Sequence, residues 1–216
     1  MTHPSSIKTK KRITTAAARG GATRQRGVTP ATRSAAEPDA VSLLRADHKT
    51  IRQLLTDLQR AAKPAERKRL LTQATRALEV HTTIEEEIFY PVFRAAARTA
   101  RDEQLFHEAT AEHHAADLIL HEVAQADDGT GEFPGRAKVL KELVSHHAGE
   151  EETDMFPRAR VILAAAELRS LGQQMAARKR VLVRADAGGG GTLQKMADFV
   201  AGPFSSRSRT APESRA

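Results

Sequence analysis

The residues of this chain whose types and spacing could do chemistry fall into two matching pairs. In the stretch His81-Thr82-Thr83-Ile84-Glu85-Glu86-Glu87-Ile88-Phe89-Tyr90-Pro91, an imidazole is followed four residues later by a carboxylate. The pattern returns in degenerate form as His147-Ala148-Gly149-Glu150-Glu151-Glu152-Thr153-Asp154-Met155-Phe156-Pro157. Aligned on the proline, both copies carry the histidine, a glutamate at the fourth position after it, a run of three glutamates displaced by one, and a large apolar residue. On an α-helix, residues four apart share one face about 6 Å apart along the axis. Each copy therefore aims an imidazole and a carboxylate at one place. Imidazole with carboxylate, and no thiolate, suits iron, manganese or zinc rather than calcium or an iron–sulfur cluster.

Composition narrows the setting. With no cysteine among 216 residues, disulfides, thiolate metal sites and cysteine nucleophiles are excluded, and a reducing, cytoplasmic location is expected. Ala, Leu, Glu, Arg and Lys favour helix over sheet. No apolar run approaches the roughly 20 residues of a membrane span, and the N-terminus has no secretory apolar core. The net charge of +7 hides a division. Residues 1–38 carry eight Lys/Arg against Glu37, and residues 164–216 carry nine basic residues against four acids. Residues 39–163 hold 17 basic residues against 22 acids, together with every histidine except His3. An acidic, histidine-rich core flanked by basic tails is a plausible cation binder. The tails, poor in large apolar residues, are expected to be disordered. Weak, salt-sensitive contact with nucleic acid or an anionic surface is their functional reading, and a transit-peptide-like composition is another.

Four long helices must position the pairs. The first is expected from Pro38-Asp39 to about Ala62, with Val41, Leu44, His48, Ile51, Leu55 and Leu58 as its apolar stripe. The second opens at Pro64 and runs to about Arg98, with stripe Leu70, Ala74, Ala77, His81, Ile84/Glu85, Ile88 and Val92; Pro91 should kink it. The third spans about Arg101 to Asp127, with Phe106, Ala109, His113, Ala116/Asp117 and Leu120. The fourth runs from about Pro134 to Arg160, with Val139/Leu140, Leu143/Val144, His147, Glu151 and Met155. A fifth helix, about Leu163 to Arg184, follows. A Gly-rich linker and a short amphipathic tail then complete residues 186–216. The fold class is all-α, an up-down-up-down four-helix bundle over 39–163 with an extra C-terminal helix.

Each bundle helix carries a histidine where an apolar residue belongs: His48, His81, His113 and His147. With Glu85 and Glu151 they exceed the needs of one tetrahedral zinc. Two metals about 3.5 Å apart, bridged by the carboxylates, use them better. Without a metal, six such groups would make a poor core for a domain stable by only about 5–15 kcal/mol.

The set formed by His48, His81-x-x-x-Glu85 before Phe-Tyr-Pro, Glu112-His113-His114, and His147-x-x-x-Glu151 before Met-Phe-Pro resembles the hemerythrin-like HHE cation-binding domain over about residues 40–160. The resemblance implies a non-haem di-iron centre that binds oxygen or reacts with peroxide or nitric oxide. By position it implies His48, His81, Glu85, His113, His147 and Glu151 as ligands. Oxygen-carrying hemerythrins have a further histidine one turn after the third-helix histidine, where this chain has Asp117, also a ligand candidate. They place a bridging aspartate five residues after the fourth-helix histidine, where this chain has Glu151 at four. These departures make the site richer in carboxylate and shift the expectation from reversible oxygen carriage toward redox or peroxide chemistry, or iron handling. A ferritin-like oxidase is disfavoured, because His precedes Glu by four rather than following it by three. A sensor whose basic tails contact nucleic acid or a protein, and a purely structural metal bundle, are the remaining alternatives.

Overall fold

The computed structural model describes residues 38–127 and 130–187, and all of its regular structure there is helical. The expected N-terminal tail up to residue 37, and the Gly-rich linker and amphipathic piece from residue 188 onward, lie outside the described residues, while residues 186 and 187, expected in the linker, belong to the last helix. α1 (Ala40–Arg60) is capped by Asp39, whose side chain accepts the Ser42 N–H at 2.8 Å. α2 (Pro64–Ile84) opens on its proline and passes through a π turn (Glu85–Phe89) into α3 (Tyr90–Ala96). α4 (Ala100–Gln125) begins with a capping box formed by Thr99 and Asp102. α5 (Glu132–Glu150) passes through a second π turn (Glu151–Met155) into α6 (Phe156–Ile162), and α7 (Ala165–Ala187) completes the described chain. α1, the α2–α3 rod, α4 and the α5–α6 rod form the expected bundle. α7 lies along α1, α2 and the first π turn.

The two π turns have one cause. Pro91 has no N–H for the Glu87 carbonyl four residues back, and its ring would clash there. The helix widens by one residue instead: the Tyr90 N–H bonds to the Glu85 carbonyl five residues back. Pro157 produces the same result, with the Phe156 N–H bonded to the Glu151 carbonyl. The extra residue shifts the helical phase and corrects the apolar register expected from the sequence. Beyond Glu85 the buried residues are Phe89, Tyr90 and Phe93, while Ile88 and Val92 are only partly buried. Two consecutive residues turn inward in each repeat, Phe89 with Tyr90 and Met155 with Phe156, which a regular helix would not allow.

The core has two apolar parts. One gathers Leu44, Ile84, Phe89, Phe93, Met155 and Phe156 with Leu168, Leu171 and Met175 of α7. The other gathers Ile51, Leu55, Leu78, Leu120, Leu140 and Val144. A polar layer separates them. Along α1 the order Leu44, His48, Ile51 places the imidazole between the two clusters, and the other three rods do the same. α7 is seated by Gly172, where an added Cβ would lie 2.3 Å from the Pro38 carbonyl oxygen. No helix among the described residues is long and apolar enough to cross a membrane.

Candidate metal centre

The polar layer contains His48, His81, Glu85, His113, His147 and Glu151, each no more than 7% exposed. One donor atom each from His48, His81, Glu85 and Glu151 lie within 4.8 Å of one another, and so do donors from Glu85, His113 and His147. Glu85 belongs to both groups. Glu151 reaches across as well: its Oε2 is 3.1 Å from His48 Nε2 and 3.7 Å from His147 Nε2. Glu85 Oε2 lies 3.2 Å from His81 Nε2 and 3.3 Å from His113 Nε2. The two carboxylates thus stand between two pairs of imidazoles. The structure does not bring Asp117 into this layer; it is exposed, on the wall of a groove between α2 and α4 that it shares with His114. Asp117 sits one turn beyond His113, and the rotation of α4 that points His113 inward leaves that position facing solvent.

The outer nitrogens of the rings are braced by acids. His48 Nδ1 donates to Glu152 at 2.8 Å, His113 Nδ1 to Glu86 at 2.8 Å, and His147 Nδ1 to Glu112 at 2.9 Å. This is the arrangement that orients a ligating imidazole with its other nitrogen inward. The fourth ring differs: His81 Nδ1 is 4.0 Å from Asp47 Oδ2. Tyr90 also points into the layer, its hydroxyl donating to Glu151 Oε1 at 2.9 Å and lying 3.2 Å from His113 Nε2. In the sequence Tyr90 stood out only as part of the Phe-Tyr-Pro motif, and Glu86 and Glu152 only as members of the glutamate runs. Their signal was present in the repeat: both glutamates stand five residues after a histidine of the layer, and Asp47 and Glu112 both immediately precede one. A second histidine and acid group, Glu112, His146 and Glu150, lies on the outside of α4 and α5.

The layer is poorly satisfied by the protein alone. His48 Nε2, His81 Nδ1, both Glu85 oxygens and Glu151 Oε2 are buried without an aligned hydrogen bond. Such orphans are costly in a dry core. Burial, with the Glu151 charge added, pushes Glu85 well above the usual carboxylate range. Burial acts on Glu151 too, but its contact with His48 and the charges of His147, His48 and His81 hold it down at about 2. Burial and the neighbouring imidazoles push His81 well below its ordinary value. For His48 and His147 burial is outweighed by the acids they touch, so both are raised. Burial pushes the Tyr90 phenol well up. Nitrogen and carboxylate donors with unused lone pairs, converging in a dry layer, suit the binding of metal cations.

Comparisons with known proteins agree with this geometry. A crystal structure of a hemerythrin HHE cation binding domain-containing protein from Mycobacterium kansasii is similar over 67% of this chain and 87% of its own, with a TM-score of 0.60 and 28% identity. A protein of Nostoc sp. (strain PCC 7120 / SAG 25.82 / UTEX 2576) named DNA nickase is 24% identical over 137 residues, 63% of this chain. The match spans 38% of that relative's length. The family model described as Hemerythrin HHE cation binding domain matches residues 39–159, which take in nearly all of the four helical rods and every residue of the polar layer. The chain belongs to the hemerythrin HHE cation binding domain family.

Proposed function

We propose that His48, His81, Glu85, His113, His147 and Glu151 hold a pair of iron ions, and that the loaded protein handles dioxygen, hydrogen peroxide or nitric oxide. The observation that carries this reading is the convergence of four imidazoles and two carboxylates in one buried layer, where His48 Nε2, both Glu85 oxygens and Glu151 Oε2 find no aligned partner in the protein. Six donors are more than one zinc uses, and four imidazoles favour iron over manganese. Once bound, a redox-active pair supplies electron exchange with a small oxygen- or nitrogen-containing molecule.

The chain's own residues restrict and protonate that molecule. A cavity of about 20 Å³ adjoins the layer, lined by His48, His81, His113 and His147 and floored by Ile51, Leu78 and Val144. That is room for about one molecule the size of water or a diatomic gas. The approach from solvent is the groove of about 490 Å³ between α2 and α4, lined by Thr82, Glu86, Thr110, His113, His114 and Asp117. Glu86 stands between groove and centre, half-exposed while bonded to His113. Tyr90 keeps its proton at neutral pH and holds it on Oη, between Glu151 and His113, within reach of a molecule that gains electrons there.

Metal analysis of the purified protein tests the reading, followed by optical spectra of the reduced form on adding oxygen and then peroxide. Two irons per chain and a near-ultraviolet band of a bridged ferric pair are expected. One zinc with no redox response overturns the reading.

A second reading comes from the relative named DNA nickase, taken with the basic residues of 1–38 and 164–216. Here the chain contacts DNA through its tails, and the metal centre serves as a switch or cleaves a phosphodiester. Conversion of supercoiled plasmid to open circles by the iron-loaded protein, abolished by removing 1–38 and 188–216, would support it. Intact plasmid would exclude cleavage.

A further inference from the structure

α7 lies beyond the residues matched by the family model, yet it reaches the metal centre. Lys179 of α7 makes an ion pair with Asp47 through Oδ1. Asp47 is the acid that faces His81. Its counterpart in the other half, Glu112, bonds to His147 Nδ1 at 2.9 Å. Asp47 Oδ2 instead stops 4.0 Å from His81 Nδ1, and both atoms are buried without an aligned partner. A second α7 cation, Arg178, forms a two-pronged pair at 2.6 and 2.8 Å with Glu87 of the first π turn. In the second repeat the position of Glu87 is Thr153, exposed and bonded to the Gly149 carbonyl. α7 therefore places two cations behind one half of the centre.

We propose that Lys179 is a positioning residue that makes the two metal positions unequal, by holding Asp47 away from His81 and leaving that imidazole the least braced of the four. The inference rests on the two-metal reading above. A ligating imidazole whose outer N–H meets a carboxylate is better oriented and a stronger donor, and losing such a partner typically changes metal affinity by 10–100-fold. His48, His113 and His147 have that partner. The position served by His81 is accordingly the weaker one, the first to empty and the last to fill. Lys179 is about one-third exposed at the surface of α7, so the contact can be removed without opening the core.

The test is anaerobic titration of the full chain with ferrous iron against a competing chelator, reporting two dissociation constants, with an unfolding midpoint for each variant. The unaltered chain is expected to show two unequal sites. In Lys179→Met, Asp47 is free to turn to His81, and the weaker site should tighten by about tenfold, bringing the two together. Lys179→Arg keeps the pair and should behave as the unaltered chain. Removing a cation also tightens metal binding through charge alone, so the double variant Asp47→Asn/Lys179→Met separates the two causes. If positioning is at work, tightening disappears relative to Asp47→Asn alone. Equal sites in the unaltered chain, an unchanged or weakened site in Lys179→Met, or tightening that survives in the Asp47→Asn background each overturns the inference while leaving the metal centre intact. Failure to bind two ions overturns the two-metal reading and this inference together.

Discussion

The two halves of the metal centre repeat each other in spacing and differ in surroundings. Glu85 and Glu151 each follow a histidine by four residues, open a π turn and are almost fully buried. They titrate in opposite directions. Glu151 touches His48 and accepts the Tyr90 hydroxyl, and its carboxyl is held at about 2. Neither oxygen of Glu85 has an aligned hydrogen bond, and burial raises it well above its ordinary value. The braces show the same asymmetry. Glu86 and Glu152 cross to the opposite half in matching fashion, whereas Glu112 reaches its imidazole and Asp47 is diverted by Lys179. Repeated spacing delivers repeated donors; what packs behind each donor sets its charge state and stiffness.

Removing the metal should break the comparison most severely, because both halves then keep buried groups without partners. Chelation is expected to cost on the order of 4 kcal/mol at metal concentrations about a thousandfold above Kd, lowering the thermal unfolding midpoint by roughly ten degrees. Calorimetry of loaded and stripped protein measures this directly.

In the stripped protein the two glutamates should part company. Glu151→Gln removes the acid from a buried ion pair and leaves His48 with Glu152 alone, a loss of about 3–5 kcal/mol. Glu85→Gln removes an acid whose ionisation burial and the Glu151 charge already oppose, so about 1 kcal/mol or less is expected. Denaturant titration of both stripped variants distinguishes them, and equal losses would mean that the halves are electrostatically alike.

The pH dependence of the stripped protein sharpens the same contrast. Glu151 ionises at about 2 in the fold against an ordinary 4.5, so its stabilisation is complete above 4.5 and is lost as pH falls toward 2. His48 and His147 are raised from 6.5, so their stabilisation is complete below 6.5 and fades as pH climbs through the folded values. Glu85, raised from 4.5, takes stability away from pH 4.5 upward, because the unfolded chain releases its proton first, and so extends the histidine limb toward lower pH. Unfolding midpoints should therefore fall below pH 4.5 and above pH 6.5, with the alkaline fall already beginning between the two. Glu151→Gln should flatten the acid limb, and Glu85→Gln should soften the alkaline one.

The smallest effect is expected at the braces. Glu112→Gln should weaken metal binding by about 10–100-fold, while Asp47→Asn, whose carboxylate is already held by Lys179, should change it little. Chelator competition on the two variants measures the difference.

Much of this was legible in the sequence. His81 with Glu85 and His147 with Glu151 followed from helical spacing alone, and the apolar stripes of α1 and α4 carried His48 and His113 into the same layer. The stripe of the second rod failed beyond Glu85, because a periodicity of 3.6 cannot register the residue a π turn adds. Asp117 was misplaced from the centre for a related reason: a position one turn past a ligand is inside or outside according to the rotation of its helix, which packing sets. Tyr90 was hidden by the same π turn, since a regular helix that buries Phe89 would turn its neighbour outward.

The sequence by itself determined the donor types, their four-residue spacing, the duplication and the prolines that force the π turns. These depend on local covalent and helical geometry. Only the tertiary structure decided which acid braces which imidazole, that Tyr90 faces Glu151, and that α7 brings Lys179 to Asp47. Those contacts join residues far apart along the chain, 132 positions in the case of Lys179 and Asp47. Their pairing depends on how the rods rotate and stack, and no local pattern encodes that.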